Sequence, residues 1–310
     1  MTHREQRNVS TVRLGTQPIA WANDDLPELG GVTPLEQILS EAKEAGYAGI
    51  EKGGKFPDDP AALKPIMAEH GLQLITGWFS GELRQRSIEQ EKQAVRRHLD
   101  LLVAMGSPVL VYAETTGTVQ GQINTPVANR PRMPEAEFAA YGEKLTALAE
   151  WMKGEGIAMA FHHHMGTVVE TEREVDLLMA STGEAVGLLF DTGHLTFAGG
   201  DCVATLRRHA ARVNHFHAKN IRPAVHSQLR NNRWSFLKGV IEGVFTVPGD
   251  TQGSVCFREI VNVLGEIGYA GWMVVEAEQD PAKAHPLTFA KMGHAELVAC
   301  CREAGLTIAE

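Results

Sequence analysis

Eight short apolar runs recur along this 310-residue chain, and a helix-like spacing of apolar residues separates almost every pair. The runs are Val12–Trp21, Tyr47–Lys52, Gln73–Phe79, Pro108–Glu114, Ile157–His162, Val186–Asp191, Val213–His217 and Gly271–Glu276. Helical patterns lie between them at about 33–45, 60–70, 86–105, 134–154, 170–180, 201–211 and 254–267, with a last one near 286–304. Many open on turn or cap residues, such as Thr33-Pro34, Asp59-Pro60 and Ser254. Many close on glycine, at Gly46, Gly71, Gly106, Gly156 and Gly268. Strict strand–helix alternation implies parallel strands joined by crossover helices. Eight such units predict a single closed (β/α)₈ TIM barrel, and the length suits one. No Gly-x-Gly-x-x-Gly follows the first run, so no nucleotide cofactor is expected.

The expected layout is a polar N-terminal segment at 1–11 and a barrel at 12–310, with a long insertion at about 221–253. That insertion carries Arg222, Trp234, Phe236 and Phe245, and it suits an interface, an active-site cover or a plain insertion equally well. The stretch at about 115–133 is also long for a simple loop. Net charge is −9, which opposes nucleic acid and anionic membrane surfaces as partners but leaves a neutral polyol open. No segment nears 18 uninterrupted apolar residues, and Met1 to Asn8 shows no signal-peptide pattern. A cytoplasmic location is expected. Cys202, Cys256, Cys300 and Cys301 lack zinc or disulfide-framework spacing and are expected as reduced, buried or half-buried thiols.

In a barrel, the C-terminal strand ends share one mouth. Here those ends carry Asn23 and Asp24, Glu51 and Lys55, Trp78 and Ser80, Glu114, and His162 with His164. Then come Asp191 with His194, His217 with Lys219 and Asn220, and Glu276 with Glu278. Strand starts are apolar, so the polar bias points to chemistry at the mouth. Residues two apart share a strand face, which pairs His162 with His164, His215 with His217 and Glu276 with Glu278, and turns His163 toward a helix. One ligand from each of the last four strands gives the best metal set: His162, Asp191, His217 and Glu276. Two imidazoles and two carboxylates carry a formal −2 and suit Mn²⁺, Co²⁺, Fe²⁺ or Zn²⁺ better than Ca²⁺. Glu114 and His164 are the reserve ligands. His194 stands one turn past Asp191, placed to bind substrate oxygen or to reach the metal through water. Lys219 suits oxyanion stabilisation or proton transfer. Gly53-Gly54, between Glu51 and Lys55, suggests close backbone approach, and Trp78 suits the pocket floor.

Several long strings are similar to the inosose dehydratases, within the xylose-isomerase-like superfamily. They are Trp21-Ala-Asn23-Asp24-Asp25-Leu-Pro-Glu-Leu-Gly-Gly, Gly53-Gly-Lys55-Phe-Pro and His162-His-His164-Met-Gly-Thr-Val-Val-Glu. Asp191-Thr-Gly-His194-Leu-Thr-Phe-Ala-Gly-Gly and Val275-Glu276-Ala-Glu-Gln-Asp-Pro-Ala-Lys complete the set, over about residues 12 to 295. The superfamily pattern of Glu, Asp, His and Glu ligands falls on His162, Asp191, His217 and Glu276, with His162 departing from it. Asn220 departs from an aspartate in His-x-Lys-Asp and so cannot serve as a base. The resemblance implies an Mn²⁺- or Co²⁺-dependent dehydratase acting on 2-keto-myo-inositol (scyllo-inosose), a small polyol ketone, to give a trihydroxycyclohexane-dione in inositol catabolism. Lys219, His194 and His164 then form the acid–base group, and Glu51, Lys55, Glu114, Trp78 and Asn23 the substrate contacts. A ketose epimerase or isomerase is the alternative. Self-association into a homo-oligomer is compatible with such a barrel.

Overall fold

The computed structural model describes residues 10–309. Residues 1–9 of the expected N-terminal segment lie outside that range. Eight parallel strands close on themselves: β1 (Thr11–Thr16), β2 (Gly49–Lys52), β3 (Gln73–Gly81), β4 (Val109–Glu114), β5 (Ala158–His162), β6 (Val186–Asp191), β7 (Val213–Ala218) and β8 (Gly271–Val275). Closure is made by β8 beside β1, from Val12 opposite Gly271 to Thr16 opposite Val275. The outer ring consists of α1 (Leu35–Glu44), α2 (Pro60–His70), α3 (Ile88–Met105), α4 (Phe138–Gly154), α5 (Glu172–Ser181), α6 (Cys202–Arg208), α7 (Phe257–Glu266) and α8 (Pro286–Ala304).

Local chemistry sets these boundaries. Helix α3 starts in a reciprocal cap, with Ser87 accepting from the Gln90 amide and the Gln90 side chain reaching back to the Ser87 amide. Its buried Val95, Leu99 and Leu102 recur at i, i+4 and i+7, and it stops where Gly106 turns left-handed at φ 76°. Strand β1 ends at Thr16, five residues short of the expected Trp21. Pro18 has no N–H for the ladder, and the Gln17 side chain accepts from the Ile19 amide to open a 3₁₀ turn at Pro18–Ala20. Alternation divides each strand between two cores. On β4, Val109 and Val111 face the barrel axis with Ala160 and Leu189, whereas Leu110 and Tyr112 join the large core under the helices.

The stretch at 221–253 folds into structure of its own. Asn220–Ile221 pairs antiparallel with Phe245–Thr246, and helices Pro223–Asn231 and Phe236–Ile241 lie between. Arg222 ties its base together, donating to the Asp250 carboxylate at 2.7 and 3.1 Å and to the carbonyls of Gly243 and Phe245. All four cysteines are free. Cys300 and Cys301 are buried and Cys202 is half-buried, but Cys256 is exposed, contrary to expectation, where it precedes α7. No helix among the described residues is long and apolar enough to cross a membrane.

Candidate active site

The barrel's axial face carries apolar side chains low on the strands and ionisable ones at the C-terminal ends. Above Val109, Val111, Ala160 and Leu189, a cavity of about 200 Å³ opens at the mouth. Glu51, Trp78, His162, His164, His217, Glu276 and Glu278 line it, together with Gln17, Asp25, Lys52 and Gln120.

Four side chains at the centre hold donor atoms that are not used. The backbone enters a short helix, Thr192–Phe197, directly after β6, and Asp191 caps it: Oδ1 accepts from the His194 amide at 2.8 Å. Its other oxygen, Oδ2, is buried without a hydrogen-bond partner. Glu276 divides in the same way, with Oε1 2.8 Å from the Lys219 ammonium and Oε2 unpartnered. Both ring nitrogens of His162 and the Nδ1 of His217 are also buried and unpartnered. His162 Nε2 lies 3.5 Å from Asp191 Oδ2, and His217 Nδ1 lies 3.4 Å from the same oxygen and in close approach to Glu276 Oε2. The donor atoms of His162, Asp191 and His217 fall within 4.8 Å of one another, as do those of Asp191, His194 and Glu276. Buried polar atoms left unpaired cost free energy. One from each of the four side chains, two imidazole and two carboxylate with a formal −2, is a donor set that suits a divalent cation.

Glu51 reaches across from β2 and accepts from the Nε2–H of both His215 (2.7 Å) and His217 (3.0 Å). Burial would raise its carboxyl, yet the two imidazoles hold it down to about 2. A carboxylate on His217 Nε2 leaves Nδ1 as the bare donor. His215 thus has a place beside the site that the strand-face pairing suggested and the ligand set omitted.

Lys219 is fully buried. Burial opposes its charge, but Asp191, Glu276 and Glu278 outweigh burial and push its pKa upward. Its Nζ sits 2.9 Å from His194 Nε2 and 2.9 and 3.0 Å from the Glu278 oxygens. Gly193 makes this possible, because a Cβ there would lie 2.4 Å from Lys219 Cγ. Glu278 is pushed up to about 7 by burial and by Glu276, against the pull of Lys219. The His164 and His194 rings lie 3.9 Å apart, and burial holds both well below the ordinary histidine range. His164 Nδ1 is 2.8 Å from the Met165 carbonyl, so it carries the hydrogen and Nε2 keeps a lone pair. Trp78 stands edge-on to His162 and His164, with its Nε1–H given to Ser80. Phe236 and Phe245 of the insertion wall the far side, 5.3 Å from His164 and 5.4 Å from His194 respectively.

Three expected substrate contacts lie elsewhere. Glu114 shares Tyr112's outward parity on β4 and accepts from the Arg84 and Thr116 amides. Asn23 caps its own loop, accepting from the amides of Asp25 and Leu26. Lys55 donates to the Gly31 carbonyl at 2.6 Å. Gly53 and Gly54 pack against Pro18 and Asp24, where a Cβ would meet either at 2.7 Å, so their close approach is to protein. Gln17, Asp25, Lys52 and Gln120 line the mouth from loops or strand ends whose sequence carries no metal-like spacing.

The xylose isomerase-like TIM barrel family matches residues 39–308. The chain belongs to that family. It is 50% identical over 303 residues to the rhizopine catabolism protein MocC of Rhizobium meliloti, covering 98% of this chain and 93% of that protein. It is 42% identical over 281 residues to the inosose dehydratase of Geobacillus thermodenitrificans, covering 90% and 94%. Among solved structures, an L-ribulose 3-epimerase superposes with a TM-score of 0.63 at 17% identity, covering 94% of this chain and 95% of that one. At that identity the likeness concerns the barrel itself.

Proposed function

We propose that this protein is a hydro-lyase that removes water from 2-keto-myo-inositol, with His162, Asp191, His217 and Glu276 holding a divalent cation, Mn²⁺ or Co²⁺. The observation that carries the metal reading is the set of buried, unpartnered donor atoms that His162, Asp191, His217 and Glu276 bring around Asp191 Oδ2 and His217 Nδ1. The substrate reading rests on 42% identity, over 90% of the chain, to a protein named inosose dehydratase. A bound divalent ion supplies positive charge next to a ketone oxygen and so acidifies the adjacent carbon.

The chain's own groups are suited to the proton transfers. Neutral His164, with Nδ1–H committed to the Met165 carbonyl, is suited to accept the proton from that carbon at Nε2. Lys219 is suited to hold developing negative charge, since three carboxylates keep it charged, and Glu278, pushed up to about 7 and hydrogen-bonded to Lys219, is suited to give a proton to the departing hydroxyl. His194, hydrogen-bonded to Lys219, can return the proton between turnovers. One proton leaves carbon, one reaches oxygen, and water departs. Trp78, Phe236 and Phe245 give the mouth apolar walls that limit bulk water around these groups. Glu51 acts on the site through its hydrogen bond with His217. Supplying 2-keto-myo-inositol and reading product mass tests this function: loss of one water supports it, and a product of unchanged mass moves the reading to an epimerase or isomerase.

A further inference from the structure

A second cavity, about 260 Å³, lies outside the barrel mouth between the long β4–α4 connection and helix Pro223–Asn231. Arg130, Arg132, Arg230, Arg233 and His226 all line it against one carboxylate, Glu170, a local excess of positive charge on a chain whose net charge is −9. Arg130 is buried and neutralised, paired with Glu170 at 3.1 Å and Glu174 at 2.8 Å. Arg132, Arg230 and Arg233 are exposed and make no direct ion pair among the described residues, although Glu170 lies near enough to feel the charge of Arg132, in contrast to the paired Arg207, Arg208 and Arg222 nearby in sequence.

The backbone also favours this arrangement. Helix Pro223–Asn231 ends with the Trp234 amide bonded back to the Leu229 carbonyl, and Arg233 takes the left-handed conformation at φ 52°. Glycine or asparagine is the usual residue in such a turn, and two asparagines immediately precede it. Arg233 instead bears the cost and sends its guanidinium across to the Asn129 side-chain oxygen at 3.4 Å, in the connection that supplies Ala128 and Arg130 to the lining. Among the lining residues, half-buried His226 has its Nε2 buried with no partner, its ring 4.5 Å from Phe197.

We infer that this arginine-lined cavity is a binding site for a phosphate group, separate from the reaction centre. Guanidinium groups match tetrahedral oxyanions with paired N–H donors, and three unpaired ones on facing walls suit a dianion. Met165 and Phe197 form the partition toward the barrel mouth: the Met165 amide faces His194, and Phe197 packs on Phe245.

Calorimetric titration of the metal-loaded protein with inorganic phosphate and, separately, with a hexose 6-phosphate tests the assignment. Saturable binding is expected for wild type, weakening as salt rises. The triple variant R132Q/R230Q/R233Q is expected to bind at least about tenfold more weakly, the loss that removing charge-assisted hydrogen bonds implies. Arg97→Gln, which removes a 79%-exposed arginine paired only loosely with Asp58, is the charge control and is expected to bind as wild type does. Tighter binding of the sugar phosphate assigns a phosphorylated metabolite, and equal binding assigns free phosphate. Unfolding temperature and turnover of the triple variant check that it folds. No saturation in wild type, or equal affinity in the folded triple variant, overturns the site. Sedimentation adds a further overturning result: a wild-type dimer that the triple variant dissociates, without phosphate binding, assigns the arginines to a second copy of the chain.

Discussion

Replacing Glu51 with Gln should weaken metal binding although Glu51 is not itself a ligand. In the native site one oxygen, Oε1, accepts from two imidazoles, at 2.7 Å from His215 and 3.0 Å from His217. A glutamine is nearly isosteric but neutral, and it can turn its NH₂ toward the rings. His217 then loses the group that holds hydrogen on Nε2 and leaves Nδ1 bare toward Asp191 and Glu276. Second-layer partners of metal-bound histidines typically contribute about 10- to 100-fold in affinity, or about 1.4 to 2.7 kcal/mol. Two bonds made by one buried carboxylate place Glu51→Gln toward the upper end, since hydrogen bonds to charged groups contribute about 1.5 to 3 kcal/mol each. Competition titration of Mn²⁺ or Co²⁺ against a chromogenic chelator measures the change directly, and circular dichroism checks that the barrel is intact. Unchanged affinity in a folded variant would refute the argument that Glu51 fixes the donor atom of His217.

The other predictions concern the ligands, the buried lysine, the insertion and its pH response. Glu276→Gln and His162→Ala should each abolish stoichiometric metal binding, read by elemental analysis after gel filtration; retention of a full equivalent would remove that residue from the set. Lys219→Ala leaves Asp191, Glu276 and Glu278 facing one another, and breaking such a buried pair costs about 3 to 5 kcal/mol. Chemical denaturation of the metal-free protein should show that loss, and added divalent metal should recover part of it. Phe236→Ala removes a wall of the His164–His194 pair and should lower kcat more than about tenfold with an unfolding temperature still above assay conditions. Burial raises the Asp250 carboxyl, but Thr246, the Gln252 amide and Arg222 together hold it below its ordinary value. Its contribution to stability is therefore complete above the unfolded value near 3.9 and is lost as pH falls through the lower folded value. Asp250→Asn should abolish that acid-dependent part, seen as a smaller difference in unfolding temperature between neutral and acid pH than wild type shows.

How far the sequence foretold the molecule depends on which physical constraint spoke locally. Strand and helix periodicity is local, and the expected β6, Val186–Asp191, coincides with the observed strand. Parity along a strand is local as well, so the pairing of His215 with His217 was legible, and both meet Glu51. Closure around the barrel is not local. The strand that delivers Glu51 lies across the axis from the one carrying His217, so position at a strand end suggested a substrate contact but not the two imidazole hydrogen bonds that Glu51 makes while lining the mouth. Glu114 misled in a different way. It ends a strand as the ligands do, but its parity follows Tyr112 toward the helices, and that parity was legible from Val109 and Val111. Loop contributions such as Gln120 depend on how the 115–133 connection folds back on the Gly166 turn, through the Val119 amide and the Gly166 carbonyl, which no periodicity encodes.

Metal content and turnover measured on the same samples test the central claim most directly. The protein is stripped with chelator, reloaded stepwise with Mn²⁺ or Co²⁺, and assayed on 2-keto-myo-inositol with product mass as the readout. The four-donor site predicts negligible turnover when stripped, then activity rising in proportion to bound metal, with one water lost per product molecule. Full dehydration by the metal-free protein would contradict it.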